Sequence, residues 1–248
     1  MNIGRGTLAF AAFAMVVSLG CIRLGFWQLE RLGERRATNA QVIARLSEAP
    51  VPLDRLPRNS TVRFRRATAT GTYDFANEFV VTSRSRHGSP GVHIITPLRT
   101  GAGDTVVLVN RGWAYAPDGM RVDLILFRED SIAVVDGFAE VFAVSQGQVS
   151  TPSVAHAVRR LDRDSIAARL PYPLASMVLV QQADSGEANA VNRGTPVRVE
   201  PPPLDEGPHR AYAIQWFAFA LVGFVGTLLV LQRDRMRNRP GHQSGVMR

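Results

Sequence analysis

The chain has 248 residues, a formal net charge of +8 at pH 7 and one cysteine. This length allows one domain of ordinary size with accessory segments. Every basic residue is arginine, and no nucleic-acid motif or aromatic stacking platform accompanies them, so we exclude a nucleic-acid-binding function. The single cysteine excludes internal disulfides and a metal site built from paired thiols.

Two uncharged apolar runs predict two transmembrane helices. They occupy residues 6–22 and residues 211–231. The second run has 21 residues, and such a helix is about 30 Å long, the thickness of a hydrocarbon core. The first run is shorter, but the long side chain of Arg23 can place its guanidinium among the headgroups. We therefore predict spans at residues 7–29 and 209–231.

Two other interpretations of the N-terminal run stay open. Arg5 precedes a short apolar region that small residues follow, as in a cleaved signal peptide. Cys21 ends a short motif that is similar to a lipoprotein site, although Ser18 stands where such a site has leucine. A transmembrane helix remains the prediction that the length of the run favours.

The distribution of arginine predicts the orientation of the two spans. The tail at residues 232–248 carries five arginines against Asp234 alone, which favours a cytoplasmic C-terminus. Two spans then place residues 1–6 in the cytoplasm as well. Further arginines follow the first span, but a long domain is translocated largely regardless of charge. We therefore expect residues 30–208 to lie outside the cytoplasm.

The segment between the spans is predicted to be rich in β-strands. Residues 30–49 have apolar positions at helical spacing and predict an amphipathic helix that ends before a Pro-Val-Pro sequence. A second, short helix is predicted in residues 162–172, capped by Asp162 or Asp164. Six short β-branched runs bounded by turn residues predict strands. These runs are residues 62–71, 78–83, 91–100, 104–113, 131–141 and 176–183.

The order of these elements predicts the fold class. The clearest hairpin joins residues 92–99 to residues 105–113. Strands and helices do not alternate, which argues against a doubly wound sheet. We predict two transmembrane α-helices flanking an extracytoplasmic α+β domain that is mainly antiparallel β and resembles an open barrel.

Motifs of known enzymes are absent from the sequence. There is no Gly-rich phosphate loop, no H-E-x-x-H and no G-x-S-x-G. His87 and His93 flank a turn and could share a metal, but a third ligand is missing, so a loop histidine beside a strand histidine is the alternative. Glu129 and Asp130 are interpreted as ordinary loop charge. We expect a protein that is not an enzyme.

Polar and aromatic residues gather at the ends of the two spans that face the same outer interface. Arg23, Trp27 and Gln28 end the first span, and a stripe at spacings of three and four begins the second. One interpretation is an aromatic belt with polar contacts between helices. The other is a site for a flat, partly anionic ligand that coordinates histidine, a description that haem fits. The stripe consists of His209, Tyr212, Trp216, Phe219, Gly223 and Gly226.

Five sequence blocks resemble, in the same order, motifs of the surfeit-locus cytochrome c oxidase assembly family. They are LGFWQLER at residues 24–31, GTYD at residues 71–74, PGVHIITPL at residues 90–98, VNRGW at residues 109–113 and HRAYAIQW at residues 209–216. The resemblance extends from the first predicted span to the second. It implies a bacterial inner-membrane protein of the respiratory chain, multi-pass, with both termini cytoplasmic and a periplasmic domain.

The resemblance also implies a function and a set of partners. Members of this family assist the maturation of haem-copper cytochrome c oxidase, which suggests transient handling of haem a for insertion into subunit I. Subunit I, other oxidase assembly factors and membrane lipid are the implied partners. An alternative of another class is an interaction scaffold that stabilises subunit I without binding haem.

The residues that match family motifs become the candidate site. His209 is the candidate ligand of the haem iron, and the candidate haem-binding set is completed by Arg23, Trp27, Arg210, Tyr212 and Trp216. Arg210 departs from the family pattern and puts a positive charge beside the ligand. From the residues alone, Tyr73 and Trp113 are more simply explained as core side chains. The other matched residues are Gly25, Gln28, Arg31, Gly71, Tyr73, Pro90, Gly91, His93, Pro97, Asn110, Arg111, Gly112, Trp113 and Gln215.

Overall fold

The computed structural model describes residues 4–57, 60–101, 105–143, 156–183 and 194–237. The chain forms two compact units, of which one joins the chain up to Gln41 to the chain from Pro203 onward, and the other is Val42–Pro202. The helices are α1 (Arg5–Ser47), α2 (Arg163–Ala167) and α3 (His209–Arg237). The strands are β1 (Val51–Pro52), β2 (Arg66–Tyr73), β3 (Phe79–Arg86), β4 (Ser89–Thr100), β5 (Val106–Tyr115), β6 (Ile132–Val141), β7 (Ala157–Val158) and β8 (Leu174–Gln181).

Helix α1 continues well past the predicted first span. It has 43 residues, which corresponds to about 65 Å at the usual rise per residue. The apolar run and the predicted amphipathic helix are therefore one element. Between Arg5 and Ser47 there is no proline, and Leu, Glu, Arg, Gln and Ala favour the helix throughout. Pro50 and Pro52 follow, and neither can extend it.

Five strands close into a barrel. The order of the sheet is β1-β2-β6-β8-β5-β4-β3-β7, and an additional pairing of β2 with β4 completes a ring of β2, β6, β8, β5 and β4. At that closure Gly71 lies opposite Thr100. A Cβ at Gly71 would overlap the carbonyl of Arg99, so only glycine allows so close an approach.

The barrel interior is filled by side chains from all five strands of the ring. They include Ala69 and Tyr73 of β2, Leu98 of β4 and Val109 of β5. The outer faces carry two further apolar clusters, one of which contains Ile166 of α2. Helix α2 is capped by Asp162, whose side chain accepts a hydrogen bond from the Ser165 amide at 2.9 Å.

The predicted fold class is confirmed. All six predicted strands are present, and the β4–β5 hairpin pairs Arg99 with Val106 and His93 with Trp113. Most pairings are antiparallel, but the pairs β1–β2, β3–β7 and β5–β8 are parallel. The strand patterns did not indicate the parallel pair β5–β8 within the ring. Helices α1 and α3 are long and apolar enough to cross a membrane.

Candidate functional site

Helices α1 and α3 pack against each other in antiparallel directions. Near the start of α1 the Gly4 amide donates a hydrogen bond of 2.9 Å to Asp234, near the end of α3. Near the start of α3, His209 contacts Gln28. The start of α1 thus contacts the end of α3, and the middle of α1 contacts the start of α3. These contacts fix the alignment of the two helices along their apolar segments.

Small residues make close contact between these helices. A Cβ on Gly25 would lie 2.6 Å from the Phe217 ring, and one on Gly223 would overlap Ser18. Small side chains at such contacts let helix backbones approach closely. Gly223 lies in this contact, whereas at Gly226 no atom of the described residues lies within 4 Å of the Cβ position. The α3 positions buried in the pair are Ala213, Ala220 and Thr227.

The imidazole of His209 is held by an amide. Its Nδ1 lies 2.8 Å from Oε1 of Gln28, a residue that is 9% exposed. The amide oxygen can only accept, so in this arrangement Nδ1 carries the proton and donates it. In the neutral form of the ring, Nε2 keeps its lone pair. A neutral imidazole fixed through Nδ1 is the usual form of a metal-ligating histidine.

The loop before α3 leaves space at the free edge of this imidazole. Gly207 has a φ of +67°, a left-handed conformation that glycine adopts without strain. A Cβ there would lie 3.5 Å from Nε2 of His209. The Gly207 amide donates to the Asp205 side chain at 3.1 Å, which holds the turn. The side of the ring that carries Nε2 is therefore not covered by a side chain at position 207.

Ion pairs continue the α1 contacts beyond the histidine. The guanidinium of Arg36 binds both carboxylate oxygens of Glu206, at 2.7 and 2.9 Å. The amide of Asn39 donates to the Asp205 carbonyl at 2.9 Å. The two parallel hydrogen bonds between Arg36 and Glu206 orient these side chains more strictly than a single bond would. The segment that leads into His209 is thus attached to α1 at several points.

Two predicted haem-binding residues of α1 lie outside its contact with α3. Arg23 and Trp27 are exposed, while Gly25 and Gln28 are buried. The buried positions repeat at intervals of three, four and seven residues, and Arg23 and Trp27 fall between them. The structure does not bring these two residues to the side of α1 that contacts α3.

The other predicted haem-binding residues of α3 lie in its first turns. Trp216 packs its ring edge-on against Phe219, with centroids 5.9 Å apart. Tyr212 is 48% exposed, and Arg210 is exposed as well. The predicted stripe therefore does not coincide with the face of α3 that packs on α1, since most of the stripe's side chains are not buried in the helix pair. Gln215 of α3 is exposed, and Arg31 of α1 pairs with Glu34 on its own helix.

A buried ionic network occupies the barrel domain. Arg111 is fully buried and its Nη1 lies 2.6 Å from Glu78, which is also buried. Its Nε lies 2.9 Å from Glu129, and it donates to the Phe127 carbonyl as well. Glu78 also accepts from the hydroxyl of Thr96. A buried guanidinium is tolerated only when its donors are satisfied in this way.

Two acidic partners of Arg111 were not recognised from the sequence. Glu129 was interpreted as ordinary loop charge, but it pairs with both Arg111 and Arg198. Glu78 directly precedes β3 and lies 33 positions before Arg111 in the sequence. Charged residues bonded across a fold leave no local spacing signal, so only the family motif at Arg111 indicated that this position matters.

Aromatic side chains pack around the same arginine. The guanidinium of Arg111 lies 5.4 Å from the centre of the Tyr73 ring and 5.5 Å from that of Phe75. Burial raises the pKa of Tyr73 to about 12. Its hydroxyl donates to Gln181 at 3.3 Å. Tyr73 therefore acts as a core side chain, as its residue type suggested.

The other matched residues of the barrel also have structural contacts. Nδ1 of His93 lies 3.2 Å from the Asn110 amide nitrogen, and burial, helped by Arg84, lowers the pKa of His93 to about 4. His87 is exposed. Within the described residues there is no group of three or more His, Cys, Asp or Glu side chains arranged to hold a metal ion.

Gly112 and Gly91 adapt the backbone to close neighbours. Gly112 has a φ of +143° and lies against the Val197 carbonyl. The indole of Trp113 covers Gly91, where a Cβ would overlap it. Two matched prolines of β4 accept backbone hydrogen bonds, Pro90 from Ala116 at 3.3 Å and Pro97 from Asp74 at 2.8 Å.

The two units together define a class of protein: a closed β-barrel domain inserted between two apolar helices of membrane-spanning length, with a polar pair at one end of the helix contact. The chain belongs to the SURF1 family, whose model matches residues 15–221. This match covers the barrel domain and the adjoining parts of both helices.

Individual relatives agree with this assignment. An uncharacterized SURF1-like protein of Mycobacterium tuberculosis is 27% identical over 246 residues, which cover 89% of this chain and 82% of that protein. The cytochrome oxidase assembly protein SHY1 of Saccharomyces cerevisiae is 31% identical over 146 residues, 54% of this chain and 36% of that protein. Surfeit locus protein 1 of Gallus gallus is 28% identical over 115 residues, 40% of this chain and 37% of that protein.

Proposed function

We propose that this protein is a membrane-bound assembly factor for cytochrome oxidase and that it handles haem a for insertion into subunit I. Membership of the SURF1 family supports the assembly function, as does the name of the yeast relative. The role is one of binding and transfer, and we assign no catalytic residue. Subunit I and other oxidase assembly factors are the partners that this function requires.

The hydrogen bond between Gln28 and His209 carries the haem proposal. It joins two residues that lie 181 positions apart, and it holds the imidazole through Nδ1. In the neutral ring this arrangement leaves the lone pair of Nε2 for a metal. A structural contact alone does not require a histidine here, because an amide or hydroxyl would bond Gln28 equally well. The bound haem would supply an iron atom that accepts an imidazole lone pair.

The residues around His209 are chemically suited to the rest of the haem. Gly207 places no side chain against the Nε2 edge of the ring. The edge-on pair of Trp216 and Phe219 offers apolar surface. Arg210 and Tyr212 are exposed, and they supply donors for a propionate. Arg23 and Trp27 do not adjoin His209 in the helix pair, so we assign them to contacts with lipid or a partner helix.

We further propose that both termini lie in the cytoplasm of a bacterial cell and that the barrel domain is periplasmic. The arginine-rich sequence after residue 231 supports this orientation. The polar pair of Gln28 and His209 then lies toward the outer face of the inner membrane. That position suits delivery of a cofactor to a membrane-embedded subunit.

Absorption spectra of the purified protein test the haem proposal. Protein from cells that make haem a is expected to carry a haem spectrum, which His209→Ala abolishes. His87→Asn is the matched control, because His87 is an exposed loop histidine with a left-handed φ of 48° that asparagine tolerates. An unchanged spectrum in the His209→Ala protein would show that another residue binds the iron.

A deletion strain tests the assembly function separately. Loss of cytochrome oxidase activity, with other membrane enzymes intact, is the expected result. Equal loss of several unrelated membrane enzymes would indicate a general defect of the membrane. A normal oxidase in the deletion strain would contradict the assembly function itself.

A scaffold that stabilises subunit I without haem is the second candidate function. Exposed apolar side chains on the barrel domain favour it, since Ile132 and Val134 of β6 are 75% and 74% exposed. Co-purification of subunit I with a colourless protein from cells unable to make haem a would support the scaffold. In that case Ile132→Ser with Val134→Ser should reduce the yield of subunit I, whereas Thr72→Ser on the neighbouring strand should not.

A further inference from the structure

A cavity of about 630 Å³ opens at one end of the barrel. It lies where β4 ends at Thr100 and where β8 begins at Leu174. Cavities of several hundred Å³ are typical of sites for small molecules, and barrel mouths are common places for them. No residue of this cavity belongs to the helix pair, so it is distinct from the His209 site.

The floor of the cavity is the apolar interior of the barrel. Ala69, Val107 and Met177 come from three different strands of the ring, and Leu56 follows the short turn after β1. All four side chains are buried in the same core cluster. An apolar body that enters this opening would continue the packing of the core and lose its contact with water.

A fixed guanidinium stands at the wall of the cavity. Nη2 of Arg163 donates to the Leu174 carbonyl at 2.8 Å, and Nε donates to the Ala175 carbonyl at 3.4 Å. These acceptors orient the side chain but leave its charge unneutralised. Within the described residues Nη1 pairs with Asp164 at 3.9 Å, and that side chain is 95% exposed. The cation is therefore positioned in advance and only weakly paired.

The same wall contains a buried hydroxyl without a hydrogen-bond partner among the described residues. It is Oγ of Ser176, in the part of β8 that leaves the regular register with β5. A buried hydroxyl is normally hydrogen-bonded. A polar group of a ligand that is held near Arg163 and Ser176 would accept hydrogen bonds from the guanidinium and from the hydroxyl.

One acidic residue also lines the cavity, and it determines how the ligand class must be tested. Asp54 lies on the exposed turn Leu53–Arg55. An amine would pair with Asp54 and a carboxylate with Arg163. Arg163 is anchored by two backbone carbonyls, whereas Asp54 has no hydrogen bond from its side chain within the described residues. The anchored group loses less conformational entropy on binding, which favours the carboxylate.

We propose that the mouth of the barrel binds a small amphipathic carboxylate, with its apolar body on the core residues and its carboxylate on Arg163 and Ser176. Such a ligand would exchange with the periplasm or the membrane surface. The proposal rests on the barrel alone and does not depend on haem binding by His209.

Displacement of a fluorescent acid tests the ligand class. The full chain in lipid nanodiscs is loaded with 11-(dansylamino)undecanoic acid, and decanoate, decanol and decylamine compete for it, with empty nanodiscs subtracted. We expect decanoate to compete about tenfold better than either of the others, as one charge-assisted hydrogen bond allows. Equal competition by decanol, or better competition by decylamine, would overturn the proposal, as would the absence of saturable binding.

Two variants that fill the cavity test its position. Gly101→Trp enters open space at the rim, since no atom lies within 4 Å of its Cβ position. Ser176→Leu replaces the unpartnered hydroxyl by a larger apolar group. Each should weaken binding of the dansyl acid at least tenfold, whereas Thr72→Trp, exposed on β2 outside the cavity, should not. Unchanged binding in both cavity variants, with native circular dichroism, would place the ligand elsewhere.

Removal of the charge tests the anchor. Arg163→Gln should reduce competition by decanoate to the level of decanol and leave competition by decanol unchanged. Arg160→Gln removes an exposed arginine of the same segment outside the cavity and should have no effect. A preference for decanoate that survives Arg163→Gln would disprove the assigned role of this guanidinium.

Discussion

Nη1 of Arg111 lies 2.6 Å from Oε1 of Glu78, and both side chains are almost completely excluded from solvent. Replacement of Arg111 by methionine leaves the buried carboxylate of Glu78 without a cation. We expect Arg111→Met to lower the free energy of unfolding by about 3–5 kcal/mol. Arg121→Met, at an exposed position, is the control. Chemical unfolding of the detergent-solubilised protein, followed by Trp113 fluorescence with the other two tryptophans changed to phenylalanine, measures the difference.

A second substitution separates loss of the charge pair from loss of packing. Arg111→Met combined with Glu78→Met removes both charges, and Glu129 keeps Arg198 as its partner. Replacement of a whole buried pair by apolar groups costs much less than removal of one member. The double variant should therefore recover most of the lost stability. If it is no more stable than Arg111→Met, the arginine contributes mainly through its fixed shape and hydrogen bonds.

The burial of His93 predicts a pH dependence of stability. Its pKa is about 4 in the folded protein against 6.5 for an ordinary histidine, so the unfolded chain binds more protons between these two pH values. The stability contributed by the neutral ring is complete above pH 6.5 and is lost as the pH falls toward 4. The loss should reach about 3 kcal/mol. Unfolding curves of the parent protein and of His93→Gln, which should remove this slope, provide the measurement.

His87 provides the control for that experiment. It is exposed, so His87→Asn should leave the slope between pH 6.5 and 4 unchanged. A slope that persists in His93→Gln would assign the dependence to the acidic groups of the domain.

A larger residue at position 25 is predicted to disturb the His209 site although Gly25 does not touch it. The reason is that Gly25 packs closely against α3. Gly25→Leu collides with the Phe217 ring, while Gly20→Leu on the same helix meets no atom within 4 Å. We expect Gly25→Leu to separate the helices and to lower the haem content of the purified protein at least tenfold. Gly20→Leu should keep the parent content. Equal haem content in both variants would show that the close approach of the helices is not needed for binding.

Loss of the Gln28 amide should affect haem binding differently from loss of the proposed ligand His209. Gln28→Leu removes the group that orients His209, and loss of such a partner usually lowers affinity 10- to 100-fold. We expect weakened haem binding with an unchanged type of spectrum, because His209, the proposed iron ligand, remains. Leu29→Ala, at a neighbouring exposed position, is the control. A haem titration measures both, and equal affinity in all three proteins would refute the orienting role.

The strands were predictable because their β-branched runs and flanking turn residues are local signals. The closure of the ring was not, because it depends on Gly71 meeting the backbone of Arg99 across the sheet. The parallel pairing of β5 with β8 was missed for the same reason. Residues 7–29 and 30–49 were predicted as two successive helices. The structure joins them in α1, because nothing between them breaks a helix.

At the candidate site, the meeting of Gln28 with His209 followed from the order of the spans, and the structure contains that contact. The separation of Arg23 and Trp27 from it depends on which side of α1 packs on α3. Small residues at Gly25 and Gly223 set that side. The acidic partners of Arg111 come from distant segments, so the sequence offered no pattern for them.

The ends of the sheet limit how another protein can attach to it. The strand order finishes at β1 and β7, each of only two residues, and β1 contains a proline. The adjoining strand β3 is interrupted at Ser83, whose amide is already bonded to Gly119 at 2.7 Å. Short and bulged edges give an incoming strand few free backbone groups. A partner must therefore recognise this domain by its side chains, and strand exchange between neighbouring copies is disfavoured while the oxidase is being built.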